Sequence, residues 1–185
     1  MAIPRRSFLK TAVSVAPFAA LPELLAQTTA PSAAALHPVG AGEDRTGHAH
    51  PLGFSSLTFK VTTADTGGNL FVIEHRNLTP GSGPALHLHY SQEEWFYVME
   101  GEVIFQVDDK RLTLQSGESV LAPRRSAHTF SAVGAPAHML IAFTPAGKME
   151  QYFIDGTANP KVSQTEAFMN RYDLKWLGPS PFWKA

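Results

Sequence analysis

Two histidines and a glutamate lie close together near the middle of the chain, at His87, His89 and Glu94. Residues two apart on a strand point to the same face, so we expect the two imidazoles to project together. A short loop and a returning strand would bring the Glu94 carboxylate to the same point. Imidazole and carboxylate donors suit a borderline transition metal, and this spacing therefore predicts part of a metal site.

A third histidine, His128, begins a later apolar run and can direct its ring at the same interior. Burying several titratable groups on one spot without a metal would be costly, because each of them loses its hydration. The alternative interpretation is that these side chains only form hydrogen bonds with one another inside the fold.

The other histidines carry weaker signals. His48 and His50 form a His-Ala-His pair with no nearby carboxylate, which favours solvated or capping histidines over a metal site. His75 and His138 lie on predicted strands in apolar company, and we expect each to be a satisfied or surface histidine rather than a ligand.

The elements that must position these residues are short strands. From Phe54 onward, about nine runs of alternating apolar and polar residues are separated by turns rich in glycine, proline and aspartate, a pattern typical of a sandwich or barrel. Phe96 and Val98 share strand parity with Glu94, and Phe130 shares it with His128. These three residues would form an apolar pocket lining, or, alternatively, ordinary barrel core.

Two helical stretches follow the strands, the first over residues 145–154 and the second opening with a capping box at Ser163–Glu166. We expect their apolar faces to pack on the outside of the β domain. Strand parity directs Trp95, Tyr97 and Met99 outward. These helices or a second subunit could cover them.

Two segments of this sequence resemble the two motifs of the cupin superfamily. The first motif matches at Gly81, His87, His89, Glu94 and Gly101, and the second matches at Gly117, Pro123 and His128. The second departs at Arg125, where the family usually has glycine, and at Ala132, where it often has asparagine. An arginine there costs about 1 kcal/mol if the turn is left-handed. Its side chain would be solvated beside Arg124 or, less favoured, attract an anion at a pocket mouth.

The resemblance implies an all-β double-stranded barrel, a jelly roll, over residues 54–145. The two helical stretches predict a helical C-terminal extension over residues 146–185. The resemblance also implies one divalent metal bound by His87, His89, Glu94 and His128, with two coordination positions open for water, dioxygen or substrate. Mixed nitrogen and oxygen ligands suit iron, manganese, nickel, copper, cobalt or zinc, and the sequence does not choose among them.

The function implied by the resemblance is that of the quercetin 2,3-dioxygenase-like group, a metal-dependent oxidoreductase acting on a small molecule such as a phenol. Glu94 would then alternate between ligand and general base. The alternatives on the same barrel are a non-redox small-molecule or sugar-binding protein and a metal-dependent isomerase or lyase. A homodimer is compatible with the resemblance alone.

The N-terminal sequence Arg5-Arg6-Ser7-Phe8-Leu9-Lys10 resembles a twin-arginine export signal. The apolar run that follows is about half of the roughly 20 residues needed to cross a bilayer, so no stable membrane anchor is expected. We expect residues 1–26 to be a signal peptide, cleaved somewhere in 26–35, and residues 27–53 to be a linker or arm. The export machinery would be a partner, and the protein would be periplasmic or extracellular.

Composition narrows the remaining possibilities. A length of 185 residues predicts one domain, and 44% hydrophobic residues supply a core. A net charge of −1 argues against nucleic-acid binding. The absence of cysteine excludes disulfides and thiolate metal sites.

Overall fold

Eleven strands account for most of the fold in residues 37–48 and 50–183, which the computed structural model describes. In chain order the strands are β1 (His50–Pro51), β2 (Ser56–Val61), β3 (Phe71–Leu78), β4 (Leu86–His89), β5 (Glu93–Glu100), β6 (Glu102–Val107), β7 (Lys110–Gln115), β8 (Ser119–Ala122), β9 (His128–Ala132), β10 (Ala137–Thr144) and β11 (Leu174–Gly178). The helices are α1 (Thr63–Thr66), α2 (Met149–Ala158) and α3 (Glu166–Met169), with a 3-10 turn at Asn170–Tyr172.

The strands form two antiparallel sheets, which confirms the predicted all-β jelly-roll class. The first sheet has the order β1-β2-β3-β10-β5-β8, and the second has the order β11-β4-β9-β6-β7. Alternate residues of each strand point between the sheets, where large aromatic side chains fill the core. The most completely buried of these are Phe59, Phe71, Phe96, Phe105 and Phe143.

The described part of the predicted arm is tied to the barrel by specific contacts. The Asp44 carboxylate accepts a hydrogen bond from the Phe59 backbone N–H at 2.6 Å. The Lys60 ammonium donates to the carbonyl of Gly40 at 3.1 Å. The His50 ring stacks on Phe59 with centroids 3.9 Å apart. These contacts join residues distant in sequence, so no local pattern in the arm announces them.

The C-terminal helices differ from the predicted ones at their starts. The first begins at Met149 and buries Met149, Tyr152 and Phe153. The second is capped by Thr165, whose side chain accepts a hydrogen bond from the Phe168 N–H, and not by Ser163. Ser163 instead donates to a nearby carbonyl within the preceding turn.

Helix α2 packs over an opening between the sheets rather than on an outer sheet face. Its Phe153 ring contacts Phe71 and Phe143, with centroids 6.2 and 5.8 Å apart. On the outer face, Trp95 and Met99 stay 37% and 36% exposed, so the helices do not bury them. Among the residues that the structure describes, no helix has the length and apolar character needed to span a bilayer.

Strand β11 is an addition that the sequence analysis did not contain. It pairs with β4, placing Leu174 opposite His89 and Trp176 opposite His87. The run is five residues long with only two inward apolar positions, which is too short for periodicity to identify. Because of this strand, β4 has a neighbour on both sides.

Candidate metal centre

The four predicted ligands come from three strands and meet between the two sheets. Strand β4 supplies His87 and His89 on one face, and β9 supplies His128, which pairs directly with His87 across the second sheet. Glu94 arrives from β5 in the first sheet. All four side chains are buried, and one possible ligand atom from each lies within 4.8 Å of the others. We call these four residues the ligand group.

The carboxylate is the closest contact of two of the imidazoles. Glu94 Oε2 lies 2.8 Å from His128 Nε2 and 3.0 Å from His89 Nε2. The ring centroids of His87 and His128 are 4.5 Å apart. Donor atoms from both sheets therefore converge on one point, in the combination of nitrogen and oxygen that borderline transition metals prefer.

Each imidazole is oriented by a contact on its far nitrogen. Nδ1 of His87 lies 2.8 Å from the carbonyl of Ala85, and Nδ1 of His128 lies 3.0 Å from that of Ser126. Nδ1 of His89 lies 3.3 Å from Gln92 Oε1. Since these oxygens can only accept, each Nδ1 carries the proton. In a neutral ring, Nε2 then keeps its lone pair, as in a metal-bound histidine.

The protonation state of the group suits a cation. Burial, reinforced by the charges of His128 and His89, lowers the pKa of His87 well below its ordinary value. Burial acts to raise the pKa of Glu94, but the hydrogen bond with His128 and the close His89 imidazole outweigh it and hold this pKa well below its usual range. The carboxylate therefore stays ionised.

Two further observations test whether a metal fits. Burial acts to lower the pKa of His128, but the hydrogen bond with Glu94 outweighs it and raises the pKa. His89 Nε2 is buried and has no hydrogen-bond partner, since its short contact with Glu94 lacks hydrogen-bond geometry. A divalent ion among these atoms would partner this nitrogen and replace the proton shared with the carboxylate, so the donor set fits a metal.

A narrow cavity opens from the ligand group. Its polar lining consists of His75, His87, His89, Glu94, Tyr152, Ser163 and Gln164, and its apolar lining consists of Leu52, Phe54, Pro84, Phe130, Ile141, Phe143, Met149, Phe153 and Gly156. Among the described residues that line it, none is lysine or arginine. The cavity is therefore apolar, with its formal charge at the ligand group.

The three predicted pocket residues have different positions. Phe130 lines the cavity. Phe96 and Val98 are fully buried but do not line it. Phe96 packs against Phe105 and Phe130, with ring centroids 5.1 and 5.4 Å away. Strand parity indicates which face a residue occupies and not how deep it lies, so it does not distinguish Phe96 and Val98 from residues that line the cavity.

Sequence reasoning missed the residues that close and support the site. Gln92 lies in the loop between two ligands, and only its contact with His89 reveals a role. Gln164 Oε1 accepts from the Ala85 N–H at 2.8 Å, next to the carbonyl that orients His87. Tyr152 donates its hydroxyl hydrogen to the carbonyl of Ser163 at 3.2 Å. These residues come from distant segments, so no sequence signal could have located them.

Among the other histidines and arginines that the structure describes, His75 alone lines the cavity. His138 is buried and paired with Glu74 at 2.7 Å, whereas His48 is exposed. Arg125 has φ of 69°, so it adopts the left-handed conformation for which the family's usual glycine is suited. Its side chain is exposed. It does not line the cavity, and its neighbour Arg124 pairs with Glu93 at 2.6 Å.

Residues 75–143 match the family model described as Cupin domain. An RmlC-like cupin from Shewanella frigidimarina has a similar fold, with 18% identity, a TM-score of 0.53, and coverage of 62% of this chain and 96% of that one. An oxalate decarboxylase of Bacillus subtilis aligns with 23% identity and a TM-score of 0.48, over 54% of this chain and 27% of that one.

A curated relative, an uncharacterized protein of Methanocaldococcus jannaschii, is 30% identical over 54 residues, which is 29% of this chain and 43% of that protein. The matched segment thus spans less than half the length of this relative. This chain thus has in common with cupins a domain match over residues 75–143 and a similar fold.

Proposed function

We propose that this chain is an exported, metal-dependent oxidoreductase of the dioxygenase type that acts on a small phenolic molecule. The observation that carries the proposal is the ligand group itself, four buried donors of which His87, His89 and Glu94 line an apolar cavity. His87, His89, Glu94 and His128 would hold one divalent metal. Such an ion, when bound, acts as a Lewis acid and brings a substrate oxygen and dioxygen together.

The cavity walls contribute by position and by excluding water. Phe130, Ile141 and Phe143 present apolar surface beside the ligand group, which suits a flat ring. Excluding water from such a site strengthens every electrostatic interaction inside it. A phenolic ring lying against these side chains would direct its hydroxyl oxygens toward the only charged part of the described lining.

Glu94 supplies the proton acceptor. Its carboxylate is held ionised in a buried setting, so it can accept the proton of a phenolic hydroxyl that approaches the ligand group. Oε2 is already in contact with His128 Nε2 at 2.8 Å. The proton would therefore be shared with the His128 imidazole, because the pKa of that ring is raised whereas that of the carboxylate is lowered.

The absence of lysine and arginine from the described cavity lining favours a neutral ring over a charged substrate. A sugar acid or a polycarboxylate usually meets lysine or arginine side chains, which bind carboxylates by charge-assisted hydrogen bonds. The described lining has none of these. A phenol or catechol becomes anionic only at the hydroxyl oxygens that approach the metal ligands. Such a substrate leaves no other charge unpaired.

Metal analysis combined with oxygen uptake tests the enzymatic proposal. We expect protein purified from its native compartment to contain iron, copper, nickel or manganese, and to consume oxygen when a flavonol or another phenol is added. Tightly bound zinc without oxygen uptake would favour the non-redox binder or the isomerase. An absence of bound metal, with His87→Ala leaving the thermal midpoint unchanged, would contradict every metal-dependent function.

The proposed export rests on Arg5 and Arg6, which lie outside the described residues. We expect the double substitution Arg5→Lys and Arg6→Lys to retain the protein in the cytoplasm, because a twin-arginine signal is read through the arginine pair. Cell fractionation measures this directly. Normal export of the double variant would rule out the twin-arginine route without affecting the enzymatic proposal.

A further inference from the structure

One buried polar atom of the cavity lining has no role in holding a metal. His75, on β3, lines the cavity and is 2% exposed. Its Nε2 lies 3.2 Å from the Ser55 hydroxyl, but its Nδ1 has no hydrogen-bond partner. In the described residues, one other cavity-lining residue has such an atom, His89 Nε2, which the ligand group accounts for. His75 Nδ1 is therefore left without a partner beside the site.

None of the described residues forms a hydrogen bond with this nitrogen. The rings of Phe130 and Phe54 lie nearby, with centroids 5.8 and 6.1 Å from the imidazole. Both are apolar, and the Phe130 ring meets the imidazole edge to face. Buried polar atoms in folded proteins nearly always have partners, so an exception on a cavity wall indicates a group that arrives with a ligand.

The imidazole is neutral, and its Nδ1 can either donate a hydrogen bond to such a ligand or accept one from it. Burial lowers the pKa of His75 to about 3, against the opposing charge of Glu94. A neutral ring carries one N–H and one lone pair. Because the Ser55 hydroxyl can donate to Nε2 or accept from it, Nδ1 can present the lone pair or the hydrogen. A ligand hydroxyl can pair with either form.

We propose that His75 binds the ligand directly, through a hydrogen bond between its Nδ1 and a polar group separate from the oxygens at the ligand group. The inference rests on the proposed function and narrows its substrate class. The ligand is then a phenol or catechol with an additional hydroxyl or carbonyl substituent. A plain hydrocarbon substituent would leave Nδ1 unpaired.

Two amide substitutions separate the nitrogens of this ring. The amide of His75→Asn occupies the region of Nδ1, whereas that of His75→Gln reaches the region of Nε2 and the Ser55 hydroxyl. If Nδ1 binds the ligand, the asparagine variant should retain recognition and the glutamine variant should lose it. A merely structural histidine, held by Ser55, would show the opposite order.

The probes are two catechols of equal size, one with a hydroxymethyl and one with an ethyl substituent. They share the ring and both chelating oxygens, and they differ by one hydroxyl in place of one methyl. We expect zinc-loaded wild-type protein to prefer the hydroxymethyl compound in calorimetric titrations. His75→Gln should lower this preference about tenfold, the equivalent of one hydrogen bond, while affinity for the ethyl compound stays within twofold.

A matched control is His50→Gln, which alters a buried histidine that stacks on Phe59 and does not line the cavity. It should leave the preference between the catechols unchanged. Zinc content and thermal midpoint, measured for every variant, show whether the ligand group and the fold are intact. If a variant does not fold, the ¹⁵N shift of His75 Nδ1 in wild-type protein should respond to the hydroxymethyl compound and not to the ethyl compound.

The outcomes separate the two proposals. If both catechols bind and the preference is the same in wild type, His75→Gln and His50→Gln, His75 does not contact the ligand and the inference is wrong. If neither catechol binds the zinc-loaded wild-type protein, the phenolic function itself fails and the inference fails with it.

Discussion

At the scale of single residues, the orientation of the ligand group depends on three acceptors outside it. Two of these are backbone carbonyls, of Ala85 and Ser126, which substitution does not remove. The third is the side chain of Gln92, which is 1% exposed. Gln92 is therefore the point at which the support of the metal centre can be removed without altering a ligand.

Replacing Gln92, the side chain that orients His89, should weaken metal binding. Gln92→Leu keeps the volume but leaves His89 Nδ1 without an acceptor, so the ring loses its fixed orientation. Loss of such a partner typically lowers metal affinity by about 10- to 100-fold, and we expect a decrease in that range. Competition titration with a zinc chelator measures it. Gln151→Leu, at an exposed position of α2, is the control and should bind zinc as wild type does.

Gly147 should influence the same contact from a different segment. It has φ of 52°, and a Cβ placed there would lie 1.7 Å from Gln92 Nε2. Gly147→Ala must therefore displace the Gln92 amide, and we expect zinc affinity to fall about tenfold. In the double variant with Gln92→Leu, the two effects should not add, since both act through one contact. Additive losses would show that Gly147 acts elsewhere.

Arg125 offers a test of backbone strain. Its left-handed conformation costs an ordinary residue about 1–2 kcal/mol, part of which glycine gives back through greater freedom in the unfolded chain. We expect Arg125→Gly to raise the free energy of unfolding by about 0.5–1 kcal/mol in urea titrations. Arg124→Gly, at a neighbouring position without positive φ, should instead destabilise the protein. A loss of stability in Arg125→Gly would contradict this account.

At the scale of elements, two C-terminal pieces complete a site whose ligands all come from the preceding strands. Helix α2 places Met149, Tyr152 and Phe153 in the cavity lining, and β11 extends the sheet that carries His87 and His89. The region that matches the cupin model ends at residue 143, before both elements. Part of the enclosure of the cavity therefore comes from residues outside the segment that matches the cupin model.

Phe153 tests how firmly α2 is attached. Its ring is 8% exposed and packs against the core aromatics Phe71 and Phe143. Phe153→Ala should lower the free energy of unfolding by about 3 kcal/mol, through lost burial and the cavity that remains. Ile154→Ala, one residue away and 38% exposed, should cost less than about 1 kcal/mol. Equal effects in denaturant titrations would show that α2 does not depend on this face.

At the scale of the whole molecule, a second charged cluster lies on the first sheet and has no part in the cavity. Glu74 is 3% exposed and contacts Lys60, Arg76 and His138 at 2.6, 2.5 and 2.7 Å. Burial acts to raise the pKa of Glu74, but hydrogen bonds from Lys60 and Arg76 outweigh it and lower the pKa to about 2. The folded state thus favours the ionised carboxylate.

Lowering the pH should remove the stabilisation that the ionised Glu74 carboxylate gives the folded state. Because the folded pKa is below the ordinary value of 4.5, the stabilisation is present above pH 4.5 and is lost as the pH falls toward 2. We expect Glu74→Gln to be clearly less stable than wild type near neutral pH, with the difference shrinking below pH 4.5. Urea titrations across this range measure it. A difference for Glu74→Gln that stays constant across this pH range would contradict the linkage.

The sequence predicted what depends on local spacing. Alternation along strands placed His87 and His89 on one face and indicated the barrel. It did not reveal Gln92, His75 or β11, because their roles depend on contacts between segments far apart in sequence. It also assigned Phe96 to the pocket, since parity carries no information on depth. The Arg125 turn was predictable as left-handed only through the family pattern, which supplied the glycine to compare with.

The pairing of β11 with β4 has a consequence for the order of events during synthesis. The last ligand, His128, leaves the ribosome well before β11, and the intervening residues take roughly 2–9 s at about 5–20 residues per second. During that interval all four donors exist while β4 still has an open edge. We expect the metal to be captured then, so that the ions available where the chain is made decide its identity. Zinc or iron bound by ribosome-stalled chains that lack residues from Leu174 onward, and carry a spacer long enough to fill the exit tunnel, would support this. Metal-free stalled chains would argue for loading after release.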